Sequence, residues 1–344
     1  MGVQDKMEYC QLPITDLRSL SPIASRVFAT ILMLYAPVTI ASNGALIASL
    51  IGTKQVKNTV SNTLFIVLGI LEGINAATTM PLLANFLFKQ GRTENCALDR
   101  ATQFGLGFFF SMPPYITVMI AVDRYIHMNP DIGASESRLA KAFKRPRVYV
   151  ILAIGLVTAA AYACTCVLLP ELGILAKAFL NLTAMAFAMA GMTFVATLYI
   201  RAYLRIRRFA SDNLVHHHSS TTEPQYVRSL YKTVFLLVVV VCVTYTPLCF
   251  QICIVATFVI QGVSHASSGL GIFYLSGLLM VYTNGVVNCI IVLSINRKAK
   301  SWLSSTLSCN KSKSQAPNHP AIIIRNKAAF NHIMPDAITI NSVS

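Results

Sequence analysis

Charge is what this sequence has least of. Of its 344 residues, 12% are charged, and only 13 acids stand against 28 lysines and arginines. A soluble chain of this length would make two or three domains with short amphipathic apolar stretches. Here 55% of residues are hydrophobic and they fall in long blocks, so lipid is the expected solvent. Other absences narrow the function. Residues 1 to 26 include "YCQLPITDLRSLSP" and have no basic start followed by an apolar run, so no cleaved signal peptide is visible. That segment has no Asn-x-Ser/Thr site, and the one at Asn181 falls inside an apolar block. No internal repeat is visible, which argues against a repeat-built transporter. His127, His216 to His218, His265, His319 and His332 all lie away from any deep carboxylate. That argues against an enzyme. "HHHSS" at His216 to Ser220 reads as a solvated loop rather than a metal site.

What is present is a set of seven blocks, each long enough to cross a hydrocarbon core. They run from Val27 to Ile51, Asn62 to Phe88, Ala101 to Ile126, Val148 to Leu169, Leu175 to Leu204, Leu230 to Ile260 and Gly269 to Ile295. Helices are the natural reading, because a lipid-facing strand alternates over about ten residues instead. The fold class expected is an all-α membrane bundle of seven helices.

Loop charge orients the bundle. Lys54 and Lys57 lie in the first loop. Arg138, Lys141, Lys144, Arg145 and Arg147 lie in the third. Arg205, Arg207, Arg208 and Arg228 lie in the fifth, and Arg297, Lys298 and Lys300 follow the last block. The alternate loops hold little, so the N-terminus is expected outside and the C-terminus in the cytoplasm. The net charge of +15 then sits on the cytoplasmic face, where inner-leaflet lipid and a protein partner explain it better than nucleic acid. The organisation expected is an extracellular N-terminus (1–26), a transmembrane domain (27–295), an amphipathic surface helix (296–309) and a flexible tail (310–344). The location is a multi-pass protein of the plasma membrane. In "NRKAKSWLSSTLSC", Trp302, Leu303 and Leu307 can face lipid while Arg297, Lys298 and Lys300 face headgroups. Cys309 is either a palmitoylation site or a free thiol.

The third block ends in "AVDRYIHMNP". Seven spans, this orientation and Asp-Arg-Tyr at the inner end of the third together resemble the rhodopsin-like (class A) G-protein-coupled receptors. The resemblance implies that Arg124 reports to a heterotrimeric G protein, with Asp123 as its neighbour and Tyr125 beside it. The alternative is an interfacial anchor, since an arginine at the membrane edge can snorkel. Asn43 in "ASNGALIASL" matches the family's first-span Asn, and a buried amide there needs partners on spans two and seven. Glu72 stands where the family has a buried Asp that helps hold sodium. Asn284 and Asn288, four apart on one helical face, match the other polar positions. The family's span-three Ser is matched by Pro113. The alternative is a neutral hydrogen-bonded cluster that glues helices. In "VVVVCVTYTPLCF", Pro247 matches the family's kink and Tyr245 stands where the family has Trp.

Departures are plain. In "NGVVNCIIVLSI" Asn288 is kept, but Cys289 replaces the family's Pro and Val292 its Tyr. Pro113 and Pro114 are expected to bend span three. "MTFVATLYIRAYLRIRRFA", with Tyr199, resembles the melanocortin, cannabinoid, lysophospholipid and adenosine branch, and Gly191 stands in place of a Pro that the first three of these also lack. The family's acidic partner for Arg124 is matched by Val227, beside Arg228 and Lys232, so basal activity is expected.

The resemblance also implies a small-molecule ligand, an arrestin and a receptor kinase. The position of the family's retinal lysine is Tyr282, and that of its amine-binding Asp is Leu106, so neither retinal nor an amine is expected. No other cofactor is expected. Gln103, Leu106, Phe109, Met112, Phe250, Phe273, Tyr274 and Tyr282 are the candidate pocket, mainly apolar and aromatic, suiting a lipid-like ligand or a nucleoside. The family links a Cys near Cys96 to its second outer loop. Cys164 and Cys166 are the candidates here, with Cys10 the alternative. The functional expectation is a receptor that passes a small-molecule signal to a G protein. A receptor with weak or atypical coupling is the alternative, and a small-solute transporter the third reading.

Overall fold

A computed structural model describes residues 20–57, 59–90, 96–128, 141, 143–168, 179, 182–198, 200–201, 204, 223–260 and 268–308. The chain divides into two compact units, Met1–Ser304 and Ser305–Ser344. All the long regular elements described are α-helices.

Helix α1 covers Pro22–Gly52. Its start is set by capping rather than hydropathy. Ser21 accepts a hydrogen bond from the Ala24 N–H at 3.2 Å, and Pro22 takes the first helical position, where no backbone donor is needed. Lys54, at φ 54°, turns the chain, and a short 3₁₀ turn follows over Gln55–Lys57. The second apolar block is two helices, α2 (Val60–Ala77) and α3 (Thr79–Phe88). Pro81 explains the break: it has no N–H for the Ala77 carbonyl one turn earlier. Thr78 sits at the join with φ −117° and ψ −68°, and its hydroxyl donates to the Ile74 carbonyl at 2.7 Å.

Helix α4, Cys96–Met128, runs through Pro113 and Pro114 without interruption. Thr117 donates its hydroxyl to the Pro113 carbonyl at 2.8 Å, and Ser111 donates to the Gly107 carbonyl at 3.0 Å. Then follow α5 (Arg145–Leu168), α6 (Leu182–Leu198), α7 (Glu223–Ile260), α8 (Ser268–Ile295) and, after Asn296, α9 (Arg297–Leu307). In the second unit, α9 ends at Leu307, and Ser305, Thr306 and Ser308 are exposed.

Among the described residues, five helical stretches are long and apolar enough to cross a membrane: Pro22–Gly52, Val60–Phe88, Cys96–Ile126, Arg145–Val167 and Gly269–Ile295. Leu182–Leu198 and Val238–Ile254 are shorter apolar stretches. Their outward faces are apolar, as Val157 at 69% exposure on α5 and Phe187 at 76% on α6 show. Exposed apolar area on this scale belongs in lipid, not in water. The protein is an all-α, multi-pass membrane protein.

Helix α4 packs against α2, α3, α5 and α7, while α1 packs against α2, α3 and α8. Toward one end the core is Leu32, Met80, Leu83, Leu275 and Tyr282; toward the other it is Leu46, Leu64, Ile116, Ile120 and Val292. Val195 of α6 joins Ala121 and Val238 in a third cluster. In lipid, association depends on close contact and interhelical hydrogen bonds rather than on escape from water. Both are visible. A Cβ on Gly277 would meet Leu248 backbone at 3.4 Å, and the Tyr115 hydroxyl donates to the Ile151 carbonyl at 2.7 Å.

Candidate functional site: two polar clusters within the bundle

The first cluster lies where α4 ends, beside the starts of α2 and α9. Asp123 is buried. Its Oδ2 accepts from the Ser61 N–H at 3.0 Å and also from the Ser61 hydroxyl. Those bonds tie the motif's acid to the first turn of α2, whose backbone donors need partners. Arg124 is half-buried and donates from Nη2 to Asn62 Oδ1 at 3.3 Å. Asn62 Nδ2 in turn donates to the Gln55 carbonyl at 2.8 Å. Gln55 and Asn296 form a reciprocal amide pair: Gln55 Nε2 donates to Asn296 Oδ1 at 3.2 Å, and Asn296 Nδ2 to Gln55 Oε1 at 2.6 Å. Asn296 Oδ1 also accepts from the Ala299 N–H at 3.2 Å, which caps α9. A continuous polar chain therefore runs from Arg124 to the start of α9. Tyr125 is half-buried and packs beside Ala121, Val195 and Val238.

The second cluster lies mid-bundle, between α1, α2, α7 and α8. Glu72 is buried, with Asn75 one turn on along the same face of α2. Tyr245, Tyr282 and Cys289 lie within electrostatic reach of that carboxylate. A Cβ on Gly285 would come within 2.9 Å of Glu72 Oε2, so glycine is what admits the acid against α8. Asn284 and Asn288 are buried, and both ends of both amides lack a hydrogen-bond partner among the described residues. The same holds for Asn75 Oδ1 and the Tyr245 and Tyr282 hydroxyls. So many orphaned polar atoms in one bundle interior is unusual, because native interiors pair such groups with protein, water or ions. Of the two partners expected for Asn43, the described hydrogen bonds supply the one on α8 and none on α2. Its Nδ2 donates to the Thr39 carbonyl at 2.9 Å, and its Oδ1 accepts from the Cys289 thiol at 3.0 Å. Gly69 of α2 leaves room for that oxygen, 3.3 Å from where its Cβ would lie. Cys289, a departure from the resembled motif, thus supplies the α8 partner.

The candidate pocket residues do not converge. Leu106, Tyr274 and Tyr282 share one buried core, while Met112 belongs to the other. Gln103 and Phe109 are half-buried. Phe250, at 63% exposure, and Phe273, at 39%, point outward instead of into the bundle. The aromatic that meets α8 is Phe110, with its ring centroid 5.6 Å from that of Tyr282. Phe109 instead stands edge-on to Phe108. One helical position is about 100° of rotation, enough to turn a side chain from one neighbour to another. Gln251, fully buried, is a residue sequence reasoning missed: its Nε2 donates to the Leu270 carbonyl at 3.0 Å and ties α7 to the start of α8. An amide side chain within the apolar stretch of α7 was the available signal. Pro247 is half-buried within a continuous α7.

The expected disulfide is corrected. Cys96 is disulfide-bonded, but neither Cys164 nor Cys166 is in a disulfide, so its partner lies outside the described residues. A cysteine at the end of α5 shares a helix with Tyr162 and Ala163, which pack over Gly107, well along α4 from Cys96. Tyr199, Cys309 and the side chains of Val227, Arg228 and Lys232 also lie outside the described residues. Among those described, no group of three or more His, Cys, Asp or Glu could hold a metal ion. No protein-family model matches the chain, and no curated protein matches it.

Proposed function

We propose that this chain is a seven-helix receptor that passes a small-molecule signal to a heterotrimeric G protein, in the manner of the rhodopsin-like receptors it resembles. The observation that carries the reading is Arg124 at the end of α4, held by Asn62 in a polar chain leading to Asn296 and α9. An arginine held by a neutral amide near the helix end can exchange that partner for a docking protein. Two states follow, one with Arg124 on Asn62 and one with it released toward the G protein. Asp123, Tyr125, Tyr199, Tyr245, Pro247 and Asn288 belong to this coupling machinery. Sodium suits the second cluster: Glu72 supplies charge, and the orphaned Asn284 and Asn288 oxygens are hard ligands. Their role is to bind and neutralise; the ion would supply only positive charge beside Glu72.

Paired measurement of surface expression and G-protein activation in the parent and Arg124→Ala tests the proposal. The parent should show basal activity, and the variant should reach the surface yet signal at background. Equal expression with full signalling would remove Arg124 from the mechanism. A small-solute transporter is the second reading, favoured by the helix break at Thr78 and by the unpartnered Asn284 and Asn288. Solute uptake into proteoliposomes that Glu72→Gln abolishes would decide for it.

A further inference from the structure

We infer that a cleft between α2 and α5 binds one anionic phospholipid of the cytoplasmic leaflet. This rests on the proposed orientation, which puts the starts of both helices on the cytoplasmic side. Val60, Thr63 and Leu64 form one wall, and Val148 and Leu152 the other. Leu64, Val148 and Leu152 are buried and make an apolar floor. The cleft runs out onto the bare face of α5, where Tyr149, Val150 and Ile154 are at least half exposed. An acyl chain can lie on that face with its headgroup at the mouth of the cleft.

The mouth is basic. Arg145 lines it and donates to the Val56 carbonyl at 3.3 Å, which holds the guanidinium over the turn between α1 and α2. Lys144 and Arg147 flank it, exposed, and exposed Lys54 stands in the same turn region. Glu72, Asp99 and Asp123, the acids whose burial is described, are all buried. Basic pockets between membrane helices at this face select anionic headgroups. Guanidinium groups suit phosphate, because their planar donors can pair with two oxygens at once. Tyr149 adds the amphipathic aromatic expected at headgroup depth. The chemistry of both halves matches one molecule: phosphate and carboxylate at Arg145, hydrocarbon against Val150 and Ile154.

The full-length protein in nanodiscs, loaded with phosphatidylserine bearing a photoreactive acyl chain, tests this. Adducts should concentrate in peptides containing Val60 to Leu64 and Val148 to Leu152. Arg145→Gln should lower their yield about fivefold, and Lys144→Gln with Arg147→Gln about as much for each residue. Val148→Phe should also lower the yield with the basic rim intact, because it fills the cleft. Glycerophosphoserine, which carries the headgroup alone, should not compete. Equal adduct yields from the phosphatidylcholine analogue would overturn the proposal, as would full competition by the headgroup alone or insensitivity to Arg145→Gln. The readout is lipid selectivity, so its failure leaves the Arg124 signalling experiment standing; loss of Arg124-dependent signalling likewise leaves the adduct map intact.

Discussion

Replacing Gly285 with alanine puts a methyl group where Glu72 already stands. The new Cβ would lie 2.9 Å from Glu72 Oε2 and 3.1 Å from its Cδ, so one of them must move. The carboxylate cannot swing freely, because it is buried. Overpacking of this kind costs about 1–3 kcal/mol. Against it stands the usual gain when a helical glycine becomes alanine, about 0.5–1 kcal/mol. The net effect expected is a loss of about 1–2 kcal/mol. Removing the clash should reverse the sign: in a Glu72→Ala background, Gly285→Ala should be neutral or stabilising. The coupling between the two changes should therefore reach at least about 1 kcal/mol, as for residues in direct contact. Gly73 provides the internal control, since its Cβ would meet nothing within 4 Å, and Gly73→Ala should stabilise slightly in either background. Equilibrium unfolding in mixed micelles on all the variants measures this. If Gly285→Ala costs the same with and without Glu72, the acid does not occupy the space assigned to it.

Peptide mapping under non-reducing conditions should find Cys96 linked to a cysteine other than Cys164 or Cys166, both of which should label with a thiol reagent in the unfolded, unreduced protein. Asn296→Ala breaks the amide pair with Gln55 and uncaps α9, so it should destabilise by about 1–2 kcal/mol, measured in the same micelles. Epitope tags at both termini should stain from outside only at the N-terminus of intact cells, with the C-terminal tag visible after permeabilisation. Staining of the C-terminal tag in intact cells would reverse the orientation.

Much of the helical layout was legible because one property, apolar block length, decides where a chain can cross lipid. The block from Gly269 to Ile295 lies within α8, and that from Val148 to Leu169 overlaps nearly all of α5. Ends set by other chemistry were less legible. Helix α1 starts at its Ser21–Pro22 cap, and α7 extends back to Glu223 through residues too polar for a hydropathy window. The split at Thr78 had a signal in Pro81. At the candidate sites, Glu72 was legible because an acid deep in an apolar block is conspicuous. The Gln55–Asn296 pair was not: its members are ordinary polar residues 241 positions apart, joined only when the bundle closes. The pocket was the weakest reading, because which face a helical residue presents depends on the rotation of each helix within the packing.

The place of Trp302 gives this protein a built-in spectroscopic probe. Its indole ring lies over Gly52, where any Cβ would collide with it, so α9 is seated against the end of α1. It is also the chain's one tryptophan. Emission excited at the red edge of protein absorption therefore comes from this single site, without labels or substitutions. A seated ring is shielded and held still, so it should emit toward the blue with high anisotropy. A ring released from Gly52 into the headgroup region should shift to longer wavelength and become accessible to aqueous quenchers. Detachment of α9 can thus be followed in real time, in the unmodified protein, by the colour of its own light.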